Sequence, residues 1–115
     1  MHEMSIVEAL LEAVQREIRA HASARVIAVR VRIGRLRQVV PKTLKFCYQA
    51  GVRDTPLDGS RLDIEEVAST ARCAQCQAEF AVEEDWFECP RCQSVGAELL
   101  TGRELDLMSI ELEAA

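Results

Sequence analysis

Four cysteines in two C-x-x-C pairs limit what this chain can fold into more than any other feature. Cys73-Ala-Gln-Cys76 is followed, after a spacer of twelve residues, by Cys89-Pro-Arg-Cys92. Each pair predicts a tight knuckle that aims two sulfurs inward, and Pro90 restricts the second turn. Together the four thiolates suit one tetrahedral ion, and zinc(II) needs no open position when so held. The spacer is short for a zinc ribbon, but a hairpin fits inside it. Two disulfides are the alternative, disfavoured because no secretory leader is visible. A rubredoxin-like iron site is another, disfavoured because its paired knuckles usually lie much further apart. A hydrolytic zinc centre is disfavoured, because four thiolates leave no place for an activated water. No nucleophile motif or phosphate loop is present either, so the expectation is a protein that is not an enzyme.

A length of 115 residues suggests one unit with a small appended module. Hydrophobic residues make up 49% and aromatic residues only 4%, so the expected core is aliphatic. The formal charge is −5, and four thiolates on a divalent ion add −2, giving −7. That sign opposes nucleic-acid phosphates, so no nucleic-acid partner is expected. No apolar run approaches the roughly 20 residues that span a membrane. With no membrane span and no leader, the expected location is the cytoplasm.

Ser5-Ile-Val-Glu8 reads as a capping box and predicts a helix from Ile6 to about Ala20. Val7, Leu10, Leu11, Val14 and Ile18 form its apolar stripe, and His21 follows as an exposed polar residue. Val26 to Ile33 reads as a strand, with Ile27, Val29, Val31 and Ile33 on one face. Pro41 starts a second helix that Gly51 should end. Leu44, Cys47 and Tyr48 share a face of that helix, with Phe46 to one side, and Cys47 reads as a small buried hydrophobe. Strands are expected from Arg61 to Val67 and again from Leu105 to Leu112. The apolar parity of the last strand flips between Leu107 and Met108, which predicts a bulge there. The first strand carries arginines and the other two carry carboxylates, so cross-strand ion pairs are expected.

The fold class is therefore α+β. Two helices pack on a small three-stranded sheet, with a zinc-ribbon module inserted before the last strand. The predicted domains are residues 1–70 completed by 101–115, and the ribbon 71–100. Phe80, Val82, Trp86 and Phe87 lie between the knuckles and can pack around the ribbon. Apolar burial alone would not hold so small a module, so the metal carries much of its stability.

The terminus Met1-His2-Glu3 has two readings. First residues are commonly frayed and unimportant. Alternatively a free amine, an imidazole and backbone amides can hold a d⁸ or d⁹ ion in a square plane. With the helix starting at Ser5, His2 would stand on a short arm ahead of it.

Several segments together resemble the HypA/HybF family of hydrogenase nickel-incorporation proteins. They are Met1-His-Glu-Met-Ser5, Arg32-Ile-Gly-Arg-Leu36, Pro41-Lys-Thr-Leu-Lys-Phe46, Gly59-Ser-Arg-Leu-Asp-Ile-Glu-Glu66, the cysteine pairs with Pro90, and Gly102-Arg-Glu-Leu105. Gln93 stands where glycine commonly follows the last cysteine, and Lys42 stands where an acid is common. The resemblance implies a nickel metallochaperone serving the large subunit of [NiFe]-hydrogenase, in company with a nickel-handling GTPase. It implies Ni(II) as cargo, bound by the amine of Met1, the imidazole of His2 and the amide of Glu3. It also implies structural Zn(II) on Cys73, Cys76, Cys89 and Cys92. A homodimer by strand exchange is compatible with the pattern. The competing function is a zinc-ribbon adaptor for protein or nucleic acid, which leaves the His2 arm idle.

Overall fold

The computed structural model describes residues 3–21, 24–82 and 88–113. The elements, in chain order, are α1 (Glu3–Glu17), a 3₁₀ turn (Ile18–His21), β1 (Arg25–Gly34), a second 3₁₀ turn (Arg35–Arg37), α2 (Pro41–Gly51), β2 (Arg61–Val67), β3 (Thr70–Cys73), β4 (Glu79–Ala81), β5 (Ala97–Thr101) and β6 (Leu105–Glu113). Two three-stranded sheets result, in the orders β2-β1-β6 and β4-β3-β5. The chain divides into two units. One comprises Met1–Arg32, Val39–Glu65 and Asp106–Ala115, and the other Ile33–Gln38 and Glu66–Leu105.

The first unit has an aliphatic core. Ile6, Val7, Leu10 and Val14 from α1 are buried, and so are Leu44 and Tyr48 from α2 and Val26, Ala28, Val29 and Val31 from β1. Apolar residues at three- and four-residue spacing place those helix side chains on one face. Phe46 falls outside it and is 72% exposed. The Tyr48 hydroxyl donates to Ser60 Oγ at 2.7 Å, and Ser60 in turn donates to the Leu57 carbonyl. Burial raises the Tyr48 pKa.

Three local expectations are corrected. α1 begins at Glu3, so Ser5 lies inside the first turn and is not the N-cap. Glu3 there supplies the acid that the helix dipole favours, and its carboxylate accepts the Val40 amide at 3.4 Å. In β1 the buried residues Ala28 and Val29 are adjacent, so the alternation breaks and Ile27 leaves the core while Val26 enters it. Gly51 is the last residue of α2 rather than a left-handed stop. A Cβ there would lie 2.8 Å from Val7 Cγ1, so glycine serves the close approach of α2 to α1.

β1, the arginine strand, sits between its two acidic neighbours. Glu65 on β2 pairs with Arg30 at 3.7 Å and Arg32 at 3.6 Å, as expected from the charges. These side chains are well exposed, so each pair adds little stability. In β6, Met108 and Ser109 are both exposed, which puts the parity break one residue later than the pattern predicts.

In the second unit β3 is central and antiparallel to both neighbours, with Ala71 opposite Phe80 on β4 and Cys73 opposite Ala97 on β5. β5 was not expected from the sequence, because Ala-Glu-Leu-Leu-Thr lacks both alternation and β-branched residues until its end. Thr70 and Thr101 link β3 to β5 through their hydroxyls at 2.6 Å. Trp86 and Phe87 lie outside the described residues.

Candidate metal centre

The second unit's turns deliver the four thiols. Cys73 ends β3, and residues 74–78 turn the chain into β4, bringing Cys76 back over Cys73. The Cys73 amide donates to the Ala78 carbonyl at 2.9 Å, and the Gln77 amide to the Cys73 carbonyl at 3.0 Å. The second knuckle repeats the arrangement. The Cys89 amide donates to the Ser94 carbonyl at 3.0 Å and the Gln93 amide to the Cys89 carbonyl at 2.8 Å. A bridge between Glu88 and Val95 closes its base.

Each knuckle is followed by a glutamine in the left-handed region, Gln77 at φ 65° and Gln93 at φ 62°. Glycine is the residue that takes this conformation without strain, which explains why the resembled pattern has glycine where Gln93 stands. Both glutamines compensate in the same way. Gln77 Nε2 donates to the Ala74 carbonyl and Gln93 Nε2 to the Pro90 carbonyl, each at 3.4 Å. The repeated Cys-x-x-Cys-Gln was the signal in the sequence for this shared turn.

The four Sγ atoms all lie within 4.8 Å of one another. Cys73 and Cys92 sulfurs are 3.5 Å apart, and those of Cys76 and Cys89 are 3.6 Å apart. A zinc tetrahedron with Zn–S of about 2.3 Å needs sulfur pairs about 3.8 Å apart, so the donor set fits. Cys73 and Cys89 are buried, Cys76 is half-buried and Cys92 is exposed. The Gln75 and Cys76 amides point at Cys73 Sγ at 3.4 and 3.5 Å, an arrangement that stabilises thiolate.

The thiols differ in acidity. Cys92 is lowered to about 6, first by the Ser94 hydroxyl and then by the Ser94 amide. Cys73 is also lowered, chiefly by the Cys76 amide. Cys76 goes the other way, to about 11. The Ala78 amide lowers it, but burial and the neighbouring thiols of Cys89, Cys73 and Cys92 outweigh that effect. Binding an ion as four thiolates displaces the protons that the metal-free thiols hold. Ser94, which sets the Cys92 value, was not singled out from the sequence.

Of the residues expected to bind nickel, Met1 and His2 lie outside the described residues. Glu3 is the first residue of α1. The first amides of a helix have no partner within it. Cys47 is half-buried on α2 and does not join the cysteine cluster. No helix among the described residues is long and apolar enough to cross a membrane.

Fold and site define an α+β metal-binding protein with a closed four-cysteine centre. The family model described as hydrogenase/urease nickel incorporation, metallochaperone, HypA matches residues 1–112, and the chain belongs to that family. It is 42% identical to the hydrogenase maturation factor HypA of Geotalea uraniireducens over 113 residues, covering 98% of this chain and 100% of the relative. It is 41% identical to the one of Desulfosudis oleivorans, covering 98% and 99%. The solution structure of the nickel metallochaperone HypA from Helicobacter pylori shares the fold, with a TM-score of 0.70 at 22% identity over 100% of both chains.

Proposed function

We propose that this chain binds Ni(II) at its amino terminus and delivers it to the large subunit of a [NiFe]-hydrogenase during maturation. The proposed ligands are the amine of Met1, the imidazole of His2 and the backbone amide of Glu3. The observation that carries this reading is the family match, which runs from residue 1 and so includes Met1-His2-Glu3. The start of α1 at Glu3 supports it, because that amide is not engaged by the helix ladder. Nitrogen donors of this strength favour square-planar nickel, and acid releases the ion by protonating them.

The module 71–100 is proposed to hold structural Zn(II) on Cys73, Cys76, Cys89 and Cys92, and residues 1–70 with 101–115 to form the nickel domain. Four thiolates fill the coordination of zinc and give no open position for catalysis, which suits a carrier rather than an enzyme. A nickel-handling GTPase and the hydrogenase large subunit are the proposed partners, in the cytoplasm. The chain acts as a monomer or a homodimer, which sedimentation with and without nickel separates.

The test is a nickel titration of zinc-loaded protein followed by visible absorption. His2→Ala and a form with one residue added before Met1 are run beside it. A weak square-planar band that only the native terminus gives is the expected result. Nickel binding untouched by both changes would move the site to the cysteines, and absence of specific binding would leave a zinc-ribbon adaptor.

A further inference from the structure

Two segments of the second unit contain no expected metal ligand, yet the fold clamps them face to face. They are residues 34–37, at the end of β1, and residues 102–104, just before β6. The Gly34 amide donates to the Glu104 carbonyl at 2.8 Å and the Leu36 amide to the Gly102 carbonyl at 2.9 Å. A Cβ on Gly34 would lie 2.0 Å from the Gly102 carbonyl carbon, so the backbones meet only because residue 34 is glycine. Gly102 itself has φ 126°, and a Cβ there would lie 2.6 Å from Ser69 Oγ. The contact is thus a rigid platform, built by glycines on both sides.

The platform presents Arg35, Arg37 and Arg103. Arg35 and Arg103 are exposed and Arg37 is half-buried. Arg37 Nε donates to the Arg103 carbonyl at 2.8 Å, which orients its guanidinium and ties the two segments together. None of the three has a carboxylate partner among the described residues, whereas Arg30, Arg32, Arg61 and Arg72 each do. The one acid of the platform is Glu104, whose Oε1 accepts the Gly102 amide at 2.8 Å. The loop pair therefore carries three positive charges against one negative, on a chain of formal charge −5.

We propose that this arginine platform is a docking surface for a carboxylate-rich segment of a protein partner. Guanidinium groups are planar forks that match carboxylates, and a fork already oriented loses less entropy on pairing. Nucleic acid is a poor occupant, since the rest of the chain repels a polyanion. For a short acidic segment the same repulsion is an advantage: the segment is excluded elsewhere and attracted here, which sets one orientation of approach. This inference goes beyond metal delivery and does not depend on the nickel site.

The experiment is an amide NMR titration of zinc-loaded protein, free of nickel, with a short oligoglutamate peptide at low salt. Inorganic phosphate is titrated in parallel. The expected result is shifts centred on residues 34–38 and 102–105, with phosphate ineffective at the same concentrations. Arg35→Glu combined with Arg103→Glu should weaken peptide binding about tenfold or more, with zinc content and the remaining amide spectrum unchanged. Arg35→Lys with Arg103→Lys should weaken it less, because charge stays while the fork is lost. Shifts elsewhere, binding indifferent to charge reversal, full binding by the lysine pair, or equal competition by phosphate would each overturn the proposal.

Discussion

Leu44, Tyr48, Leu57, Val29 and Val31 are wholly buried in the first unit. The buried apolar side chains described in the second are Ile33, Ala71, Val82 and two of the cysteines, Cys73 and Cys89. Burying a valine, leucine or isoleucine contributes about 1.5–3 kcal/mol, so among the described residues the first unit has ample material for a core and the second has much less. Structural zinc in small modules is associated with apparent binding energies of about 10–16 kcal/mol, all of it realised only when the module is folded. With zinc held as proposed, the two units reach stability by different routes, one distributed over many contacts and one concentrated in four bonds. A unit held by its metal can leave much of its surface polar, and the arginine platform lies there.

The sharpest way to break this comparison is to remove the metal. Cys73→Ser, or chelation of the native protein, should unfold the second unit at a cost on the order of 10 kcal/mol, while the amide signals of α1 and α2 persist. Collapse of both sets of signals together would show that the first unit is not self-sufficient.

Acid should reach the same loss more gradually. The Cys92 pKa is depressed from 9.0 to about 6, so its contribution is complete above the ordinary value and disappears as pH falls through about 6. Zinc retention followed by a chromophoric chelator should decline as pH falls, because protons compete with zinc for the thiolates. Ser94→Ala, which removes the hydroxyl donor, should move the decline to higher pH. An unmoved profile would assign the low value to another cause.

Leu44→Ala probes the other unit. It should cost about 2–5 kcal/mol in denaturant unfolding of α1 and α2, with zinc content unchanged. Loss of zinc on this substitution would join the two units that the comparison separates. The smallest effect has the opposite sign. Gln93→Gly relieves a left-handed residue and should strengthen zinc retention against a chelator by about 1 kcal/mol or less, because the Gln93 side-chain bond to Pro90 is lost as well. Weaker retention would mean that this side-chain bond outweighs the strain.

Much of the fold was legible where the cause is local. Pro41 marked the start of α2, and the charges of β1 and β2 anticipated Arg30 and Arg32 beside Glu65. The errors fall where a distant neighbour decides. Ser5 is a good cap, yet α1 extends to Glu3, whose carboxylate takes the Val40 amide. Gly51 matches a helix stop by position, but Val7 explains the glycine. β5 has little strand character of its own and is ordered by pairing with β3.

The chain alone determined the candidate donors of the cysteine centre, because a C-x-x-C knuckle closes within a few residues and needs no remote partner. It likewise determined the aliphatic character of the core and the sign of the surface charge. Tertiary structure alone decided that Gly34 meets Gly102, that Arg37 reaches Arg103, and that Ser94 lowers the Cys92 pKa. The first two contacts join residues more than sixty positions apart. No local propensity encodes such a meeting, and only the packed backbone brings it about.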